Sequence, residues 1–277
     1  KILKSERKYA IYLPPNYENS ERSYPVLYLL HGMGDDQTGW VQFGEVKHIT
    51  DMAIKNGNAT PMIIVMPDAS TTPYGFSFYS NSMLNGNFED FIVNDLVNYM
   101  DKNYNTIPDA SGRAVIGHSQ GGYAAFKFGM LYPDIFKTVA SHSGLLLVDA
   151  LFDPTFIYLL EQENQGGFTG PDPAKFLTSA MYAMSAAWSP NLNNPPFFVD
   201  LPLEFYEDGQ LYPVPEVVGL WYQNDVFTLL DSYHETFNTL NGIYLDVGLF
   251  DELNTQLAHA PVISKLDFFN IDYTFET

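Results

Sequence analysis

Apolar residues fall along this chain in short continuous runs, separated by longer stretches of helical periodicity. Tyr24-Pro25-Val26-Leu27-Tyr28-Leu29-Leu30 is one such run, too short and too uniformly apolar for a surface helix, and it reads as a buried strand. The pattern predicts strands at 8–13, 25–30, 62–66, 113–117, 136–141, 243–247 and 268–275. It predicts helices at 45–57, 88–104, 120–132 and 251–266. Strands that alternate with helices imply an α/β architecture, a mostly parallel twisted sheet with helices on both faces. With 277 residues and 46% hydrophobic content, residues 1–277 are expected to bury one large core as a single domain. The alternation breaks between Leu145 and Gly242. The segment 145–242 holds 9 of the 18 prolines, and a stretch of that length between two sheet strands is expected to be a cap or lid insertion.

One strand-to-helix junction carries chemistry. Val115-Ile116-Gly117-His118-Ser119-Gln120-Gly121-Gly122 contains a G-x-S-x-G pentapeptide, and the helix-like run Tyr123-Ala124-Ala125-Phe126-Lys127-Phe128-Gly129-Met130 follows it. That is the context of a nucleophile elbow, where a sharp, strained turn pushes a serine hydroxyl out of the sheet. Gly117 and Gly121 lack a Cβ, so strand and helix can approach closely around the turn. A bare G-x-S-x-G is common by chance, but one bracketed in this way points to Ser119 as a catalytic nucleophile. Upstream, His31-Gly32-Met33-Gly34 ends the run at 25–30. Beside such an elbow, an H-G-type turn after an early strand supplies one backbone N–H of an oxyanion hole, and the residue after the serine supplies the other. The donors would be Met33 and Gln120. Two N–H groups aimed where a carbonyl oxygen becomes negative stabilise the transition state by about 3 kcal/mol or more. The His31 ring is expected only to pack and to hydrogen-bond the turn.

Together these segments resemble the esterase D-type α/β-hydrolases, the group that holds feruloyl esterases, S-formylglutathione hydrolases, mycolyltransferases and enterochelin esterases. The matching residues are Tyr12-Leu13-Pro14-Pro15-Asn16-Tyr17, then Tyr24 to Gly32 with Trp40 beyond, and Ile64-Val65-Met66-Pro67-Asp68. Phe88-Glu89-Asp90-Phe91-Ile92, Gly117 to Tyr123, Tyr132-Pro133-Asp134-Ile135-Phe136 and Ser143-Gly144 follow, with Asp246 to Asp251 much later. The likeness is dense over 9–144 and looser over 243–275. It implies an α/β-hydrolase fold and the chemistry of a serine carboxylesterase. Gln120 stands where many members carry Met; since only its N–H is needed, the chemistry is expected to be intact.

In this fold the catalytic residues follow the chain order Ser, then Asp or Glu, then His. Two carboxylates compete after the strand at 243–247. Asp246 lies inside the apolar strand, where burial without a partner is costly. Asp251 comes just past Gly248, at the carboxyl end of the strand, where α/β sheets gather functional groups. It also matches the family position, and Asp251 is the expected acid. The family's histidine sits in a Gly-rich loop after the last strand, which puts the general base just beyond Thr277. Within 1–277 only His259 follows Asp251, as a second candidate, and a helix over 251–266 would carry it away from the strand ends. His118 is expected to pack behind the serine, His142 to line the pocket, and His48 and His234 to sit on helix surfaces.

Charge narrows the partners. The chain carries −20, and the segment 145–242 opposes Lys175 alone to thirteen Asp and Glu residues. Such a field repels nucleic acid, phosphorylated substrates and free carboxylates, and offers anionic membranes no basic footing. On composition alone this charge reads as a solvated surface that serves solubility or adaptation to salt; the sharper reading is that an acidic cap selects neutral esters. The expected partner is a neutral small-molecule or carbohydrate-linked ester, with neither nucleic acid nor membrane. No apolar run approaches the roughly 20 residues that span a bilayer. The chain has no cysteine, which excludes disulfides and thiolate metal sites. H-E-x-x-H, P-loop and calcium-loop patterns are missing, so no metal and no cofactor is implied. The expected function is hydrolysis of neutral carboxylic esters through an acyl-enzyme, with feruloyl or acetyl esters of plant polysaccharides among the substrates the resemblance implies. The same residues would serve an acyltransferase. A non-catalytic binding protein on this scaffold would follow if the native chain ended at Thr277.

Overall fold

The computed structural model describes residues 2–165, 167–251, 253 and 255–277. At its centre lies a seven-stranded sheet built from β1 (Tyr9–Tyr12), β2 (Val26–Leu30), β3 (Ile63–Pro67), β4 (Arg113–His118), β5 (Thr138–His142), β6 (Gly242–Asp246) and β7 (Thr274–Glu276). Their spatial order is β1-β3-β2-β4-β5-β6-β7. Only β1 runs antiparallel to its neighbour; all other pairings are parallel. Every residue of β3 is buried, as are four of the five in β2, which is why these strands read as continuous apolar runs rather than alternating ones.

The main helices are α1 (Val46–Lys55), α2 (Val97–Asn103), α3 (Gln120–Leu131), α4 (Pro154–Glu163), α5 (Phe176–Trp188), α6 (Pro215–Tyr222), α7 (Val226–Phe237) and α8 (Gln256–Phe268). The predicted helix at 88–104 is interrupted: a short turn at Phe88–Asp90 and a π-helical stretch at Phe91–Leu96 precede α2. Helix α3 is buried from Gln120 to Met130 and packs on β4, β5 and α7. A helix that is apolar all round must be covered on every side. Its one cation, Lys127, is paired in the interior with Glu89 at 2.8 Å, and Tyr132 donates its hydroxyl to the other oxygen of the same carboxylate. That pair ties α3 to the segment ahead of α2.

The C-terminal part departs from expectation. The composition of 268–275 predicts a strand, but α8 continues to Phe268 and β7 is confined to Thr274–Glu276. Ala258, Val262 and Leu266 recur every four residues and form the buried stripe of α8, so packing outweighs the strand preference of Phe268 and Phe269. Asn270, at φ 53, then reverses the chain, with the Ile271 N–H returned to Leu266 O at 3.0 Å.

Between β4 and α3 the backbone is in contact with itself. A Cβ on Gly117 would lie 2.2 Å from the carbonyl carbon of Gly121, and one on Gly121 would lie 2.6 Å from Leu30 O. Neither neighbour is a flexible side chain that could move aside. Gly117→Ala is therefore expected to destabilise the fold by about 3 kcal/mol, the upper end for overpacking. An unchanged urea midpoint for that variant would show that strand and helix stand further apart than described.

Segment 145–242 is not one uniform layer. Helices α4 and α5 pack together, while α7 lies along α3 beside the sheet. A two-stranded hairpin, Leu203–Phe205 with Leu211–Pro213, lies between α5 and α6 in the chain.

Candidate active site

Ser119 stands at the junction of β4 and α3 with φ 55 and ψ −117. Holding a residue with a side chain there costs about 1–3 kcal/mol, and it persists only where its surroundings over-determine it. Two hydrogen bonds do so: Ser119 N–H donates to His142 O at 2.9 Å, and Ser119 O accepts the N–H of Tyr123 at 3.0 Å. One bond joins the serine to the end of the adjacent strand β5, and the other opens α3.

Ser119 lines a cavity together with Met33, Phe78 and Gln120 from the sheet side. Leu145, Leu151, Phe156, Phe176, Leu177 and Met184 enter it from the segment 145–242, and Leu253 and Thr255 from the loop after β6. Met33 and Gln120, the two residues expected to supply oxyanion donors, are thus beside the serine. Among the described residues, no protein acceptor takes either backbone N–H.

The supporting turn is fixed by His31. Its Nδ1–H donates to Gly32 O at 2.8 Å, and its Nε2 accepts the N–H of Ala69 at 3.0 Å. Tyr79 donates its hydroxyl to His31 O at 3.1 Å, and Trp40 donates to Leu30 O at 3.0 Å. The His31 ring is 1% exposed, and burial pushes its pKa down, so it stays neutral and holds this tautomer.

The carboxylates occupy different settings. Asp246 is the last residue of β6, and its Oδ1 is paired with Nδ1 of His142 at the end of β5. The expectation of an unpartnered carboxylate inside a strand therefore does not describe Asp246, because the cross-strand register sets it opposite His142. Asp251 lies beyond the strand end, and its Oδ1 accepts the N–H groups of Leu253 at 2.9 Å and Thr255 at 3.2 Å. Both of those residues line the Ser119 cavity.

The histidines are dispersed. His142, expected in the pocket, is exposed beside Asp246 and is not among the residues lining the cavity. The His118 ring is exposed over Gly32 rather than packed behind the serine, 5.5 Å from the ring of His142. The cause is room: a Cβ on Gly32 would come within 2.7 Å of His118 Nδ1, so the glycine opens the space that the ring fills. His259 is buried in α8, donates Nδ1–H to Thr255 O at 2.9 Å and lies over Phe275. Burial lowers its pKa. Among the described residues, no histidine is hydrogen-bonded to Ser119 Oγ.

The sequence does not single out Phe78, Thr255 or the apolar residues of α4 and α5 as site residues. They converge from four distant stretches of chain, and no local spacing connects them. Asp68 caps a turn: it accepts from Ser70 N–H and Oγ–H and pairs with Arg7 at 3.0 Å.

A mostly parallel sheet in this order, with a strained serine between its central strand and a buried helix, defines the α/β-hydrolase class. Comparison with known proteins is more specific. The family model described as "Putative esterase" matches residues 1–261, and the chain belongs to that family. Esterase Rv1288 of Mycobacterium tuberculosis is 36% identical over 135 residues, which are 48% of this chain and 28% of that protein. An endo-1,4-beta-xylanase/feruloyl esterase of Xylanibacter ruminicola is 32% identical over 167 residues, 57% of this chain and 23% of that protein. The matched region is therefore less than a third of either relative's length. Among solved structures, a ferulic acid esterase superposes with a TM-score of 0.69 at 22% identity, over 100% of this chain and 85% of the other. That likeness is one of fold.

Proposed function

We propose that this chain is the catalytic part of a serine carboxylesterase that hydrolyses neutral esters through an acyl-enzyme. The observation that carries the reading is Ser119 in its strained turn, lining one cavity with Met33 and Gln120, whose backbone N–H groups have no protein acceptor among the described residues. Ser119 Oγ attacks the ester carbonyl, and a histidine takes its proton. In this reading that base comes from a loop after β7 and is oriented by Asp251, whose own turn lines the cavity. The carbonyl oxygen becomes an oxyanion between the two N–H donors. The C–O bond to the alcohol breaks as the histidine returns the proton to it. Water then attacks the acyl-enzyme by the same route, releasing the carboxylic acid and restoring the serine.

Segment 145–242 acts as the cap, because its apolar side chains supply much of the cavity wall. Its thirteen acidic residues favour neutral substrates over anionic ones. Feruloyl and other acyl esters of plant polysaccharides fit that description, and two of the relatives above carry feruloyl or ferulic acid esterase in their names. A fluorophosphonate probe tests the core of the proposal. It is expected to label the protein at Ser119, read by peptide mass spectrometry, and to block ester hydrolysis in proportion to labelling. Labelling elsewhere, or hydrolysis that survives full labelling of Ser119, would refute the reading.

A further inference from the structure

The turn Ser77-Phe78-Tyr79-Ser80 is wholly buried, and its two central residues are strained. Phe78 stands at φ 49 and Tyr79 at φ 48, in the left-handed region that bulky side chains rarely enter. Such a backbone persists only where its surroundings over-determine it, and here they do. Tyr79 N–H donates to Ser77 Oγ, Ser80 N–H to Ser77 O and Ser80 Oγ–H to Phe78 O, each at 3.1 Å. From segment 145–242, helix α5 adds Trp188. Its Nε1–H donates to Ser80 Oγ at 3.3 Å, and its ring meets that of Phe78 at 5.2 Å.

Held in this way, the turn presents one donor to each half of the oxyanion hole. Phe78 N–H donates to Gln120 Oε1 at 3.2 Å, and the Tyr79 hydroxyl donates to His31 O at 3.1 Å. A backbone N–H can only donate, so the carbonyl end of the Gln120 amide faces Phe78. His31 O belongs to the rigid peptide plane that precedes Gly32, and Met33 N–H to the one that follows it. Gly32 has no Cβ, so its own φ and ψ do little to hold those planes at a fixed angle. They are held from outside instead: Tyr79 bonds the carbonyl of the first plane, and His31 Nδ1–H bonds Gly32 O in the second. Resting on the reading of Ser119, Met33 and Gln120 given above, we propose that Phe78 and Tyr79 are positioning residues for the oxyanion hole. Their strained turn bonds both halves at once and fixes the distance between them. Losing either bond leaves both donors in the protein but frees one half to shift against the other. A shift of about 1 Å in a reacting geometry costs about 10²-fold in rate, and a donor lost outright about 10²–10³.

Tyr79→Phe tests the proposal, because it removes one hydroxyl and keeps the ring. Tyr132→Phe is the control for lost stability: it gives up a hydroxyl bond to Glu89, and Tyr132 is not among the residues lining the Ser119 cavity. Both are assayed with 4-nitrophenyl acetate for kcat and KM. Both are also titrated with phenylboronic acid, whose tetrahedral adduct on an active serine sets an oxygen where the oxyanion would stand. Tyr79→Phe is expected to lower kcat by about tenfold, less than the loss of a donor, and to leave KM within about twofold. Its Ki for phenylboronic acid is expected to rise several-fold, since the analogue needs the same donors as the transition state. Tyr132→Phe is expected to keep kcat and Ki within about twofold of the parent while its urea midpoint falls. If Tyr79→Phe fails to fold, Gln120→Met carries the test with the same expected split. It loses the acceptor for Phe78 N–H and keeps its own backbone N–H. Unchanged kcat and Ki in the variant, a loss that falls on KM alone, or an equal loss in Tyr132→Phe would overturn the inference while Ser119-dependent hydrolysis stands. Hydrolysis that persists in Ser119→Ala would instead remove the reading on which it rests, and the inference with it.

Discussion

Ser119→Ala is expected to lower kcat for ester hydrolysis by about 10⁶-fold, the loss seen when a serine protease is deprived of its nucleophile. The variant should fold as the parent does. Both hydrogen bonds of residue 119 that fix the elbow use its backbone, its N–H to His142 O and its O from Tyr123 N–H, and alanine makes them equally well. The strain at φ 55 falls on alanine and serine alike, since both carry a Cβ. The urea midpoint is thus expected to stay within about 0.5 kcal/mol of the parent, the range of changes that touch no buried contact. This combination separates chemistry from stability. Residual turnover within about tenfold of the parent, in protein with an unchanged midpoint, would show that Ser119 is not the nucleophile. The margin is wide because the oxyanion hole and substrate binding that remain in the comparable protease contribute only about 10³–10⁴ over water.

Much of the architecture was legible because the sheet is parallel and buried. Val26 to Leu30 and Ile63 to Met66 are apolar without a break because helices or loops cover them on both sides, and only a strand is that short. The elbow was legible for a different reason: Gly117 and Gly121 are required by backbone contacts of 2.2 and 2.6 Å, and such contacts leave a mark in the sequence. The end of the chain was not legible in the same way. Phe268-Phe269-Asn270-Ile271 has the composition of a strand, but the stripe Ala258, Val262, Leu266 draws the helix on to Phe268, and that stripe gains its meaning only from what it packs against. The cavity was least legible of all. Its wall combines Phe78, residues of α4 and α5, and Thr255, and the acidic charge of segment 145–242 gives no hint of the apolar face it turns inward. Gln120 shows the limit most clearly. The motif demanded only its N–H, whereas the fate of its side chain depends on an amide 42 positions away in the chain.

Asp251→Asn is the second large effect expected, a fall in kcat of about 10⁴-fold, as when the acid of a serine protease triad is made neutral. The substitution isolates charge. The carboxamide oxygen that replaces Oδ1 can still accept the N–H groups of Leu253 and Thr255, so the turn that lines the cavity keeps its caps. What disappears is the negative charge that, in the proposed mechanism, orients the base and stabilises its protonated form. Asp246 provides the control, because it presents a carboxylate that already holds an imidazole, that of His142. If that pair were the catalytic relay, Asp246→Asn and His142→Ala would each reduce kcat by several orders of magnitude. The cavity argues otherwise: Leu253 and Thr255, which Asp251 holds, line it beside Ser119, whereas His142 and Asp246 do not. His142 is exposed, and its pairing with Asp246 is a partly solvated link between the ends of β5 and β6. Each of the two control variants is therefore expected to lower stability by about 1 kcal/mol, the worth of one partly screened hydrogen bond, and to change kcat by less than about tenfold. Steady-state kinetics on all three variants, with urea midpoints alongside, decide the matter. A large loss of kcat in His142→Ala and Asp246→Asn with little in Asp251→Asn would move the acid to the strand end and make His142 the base.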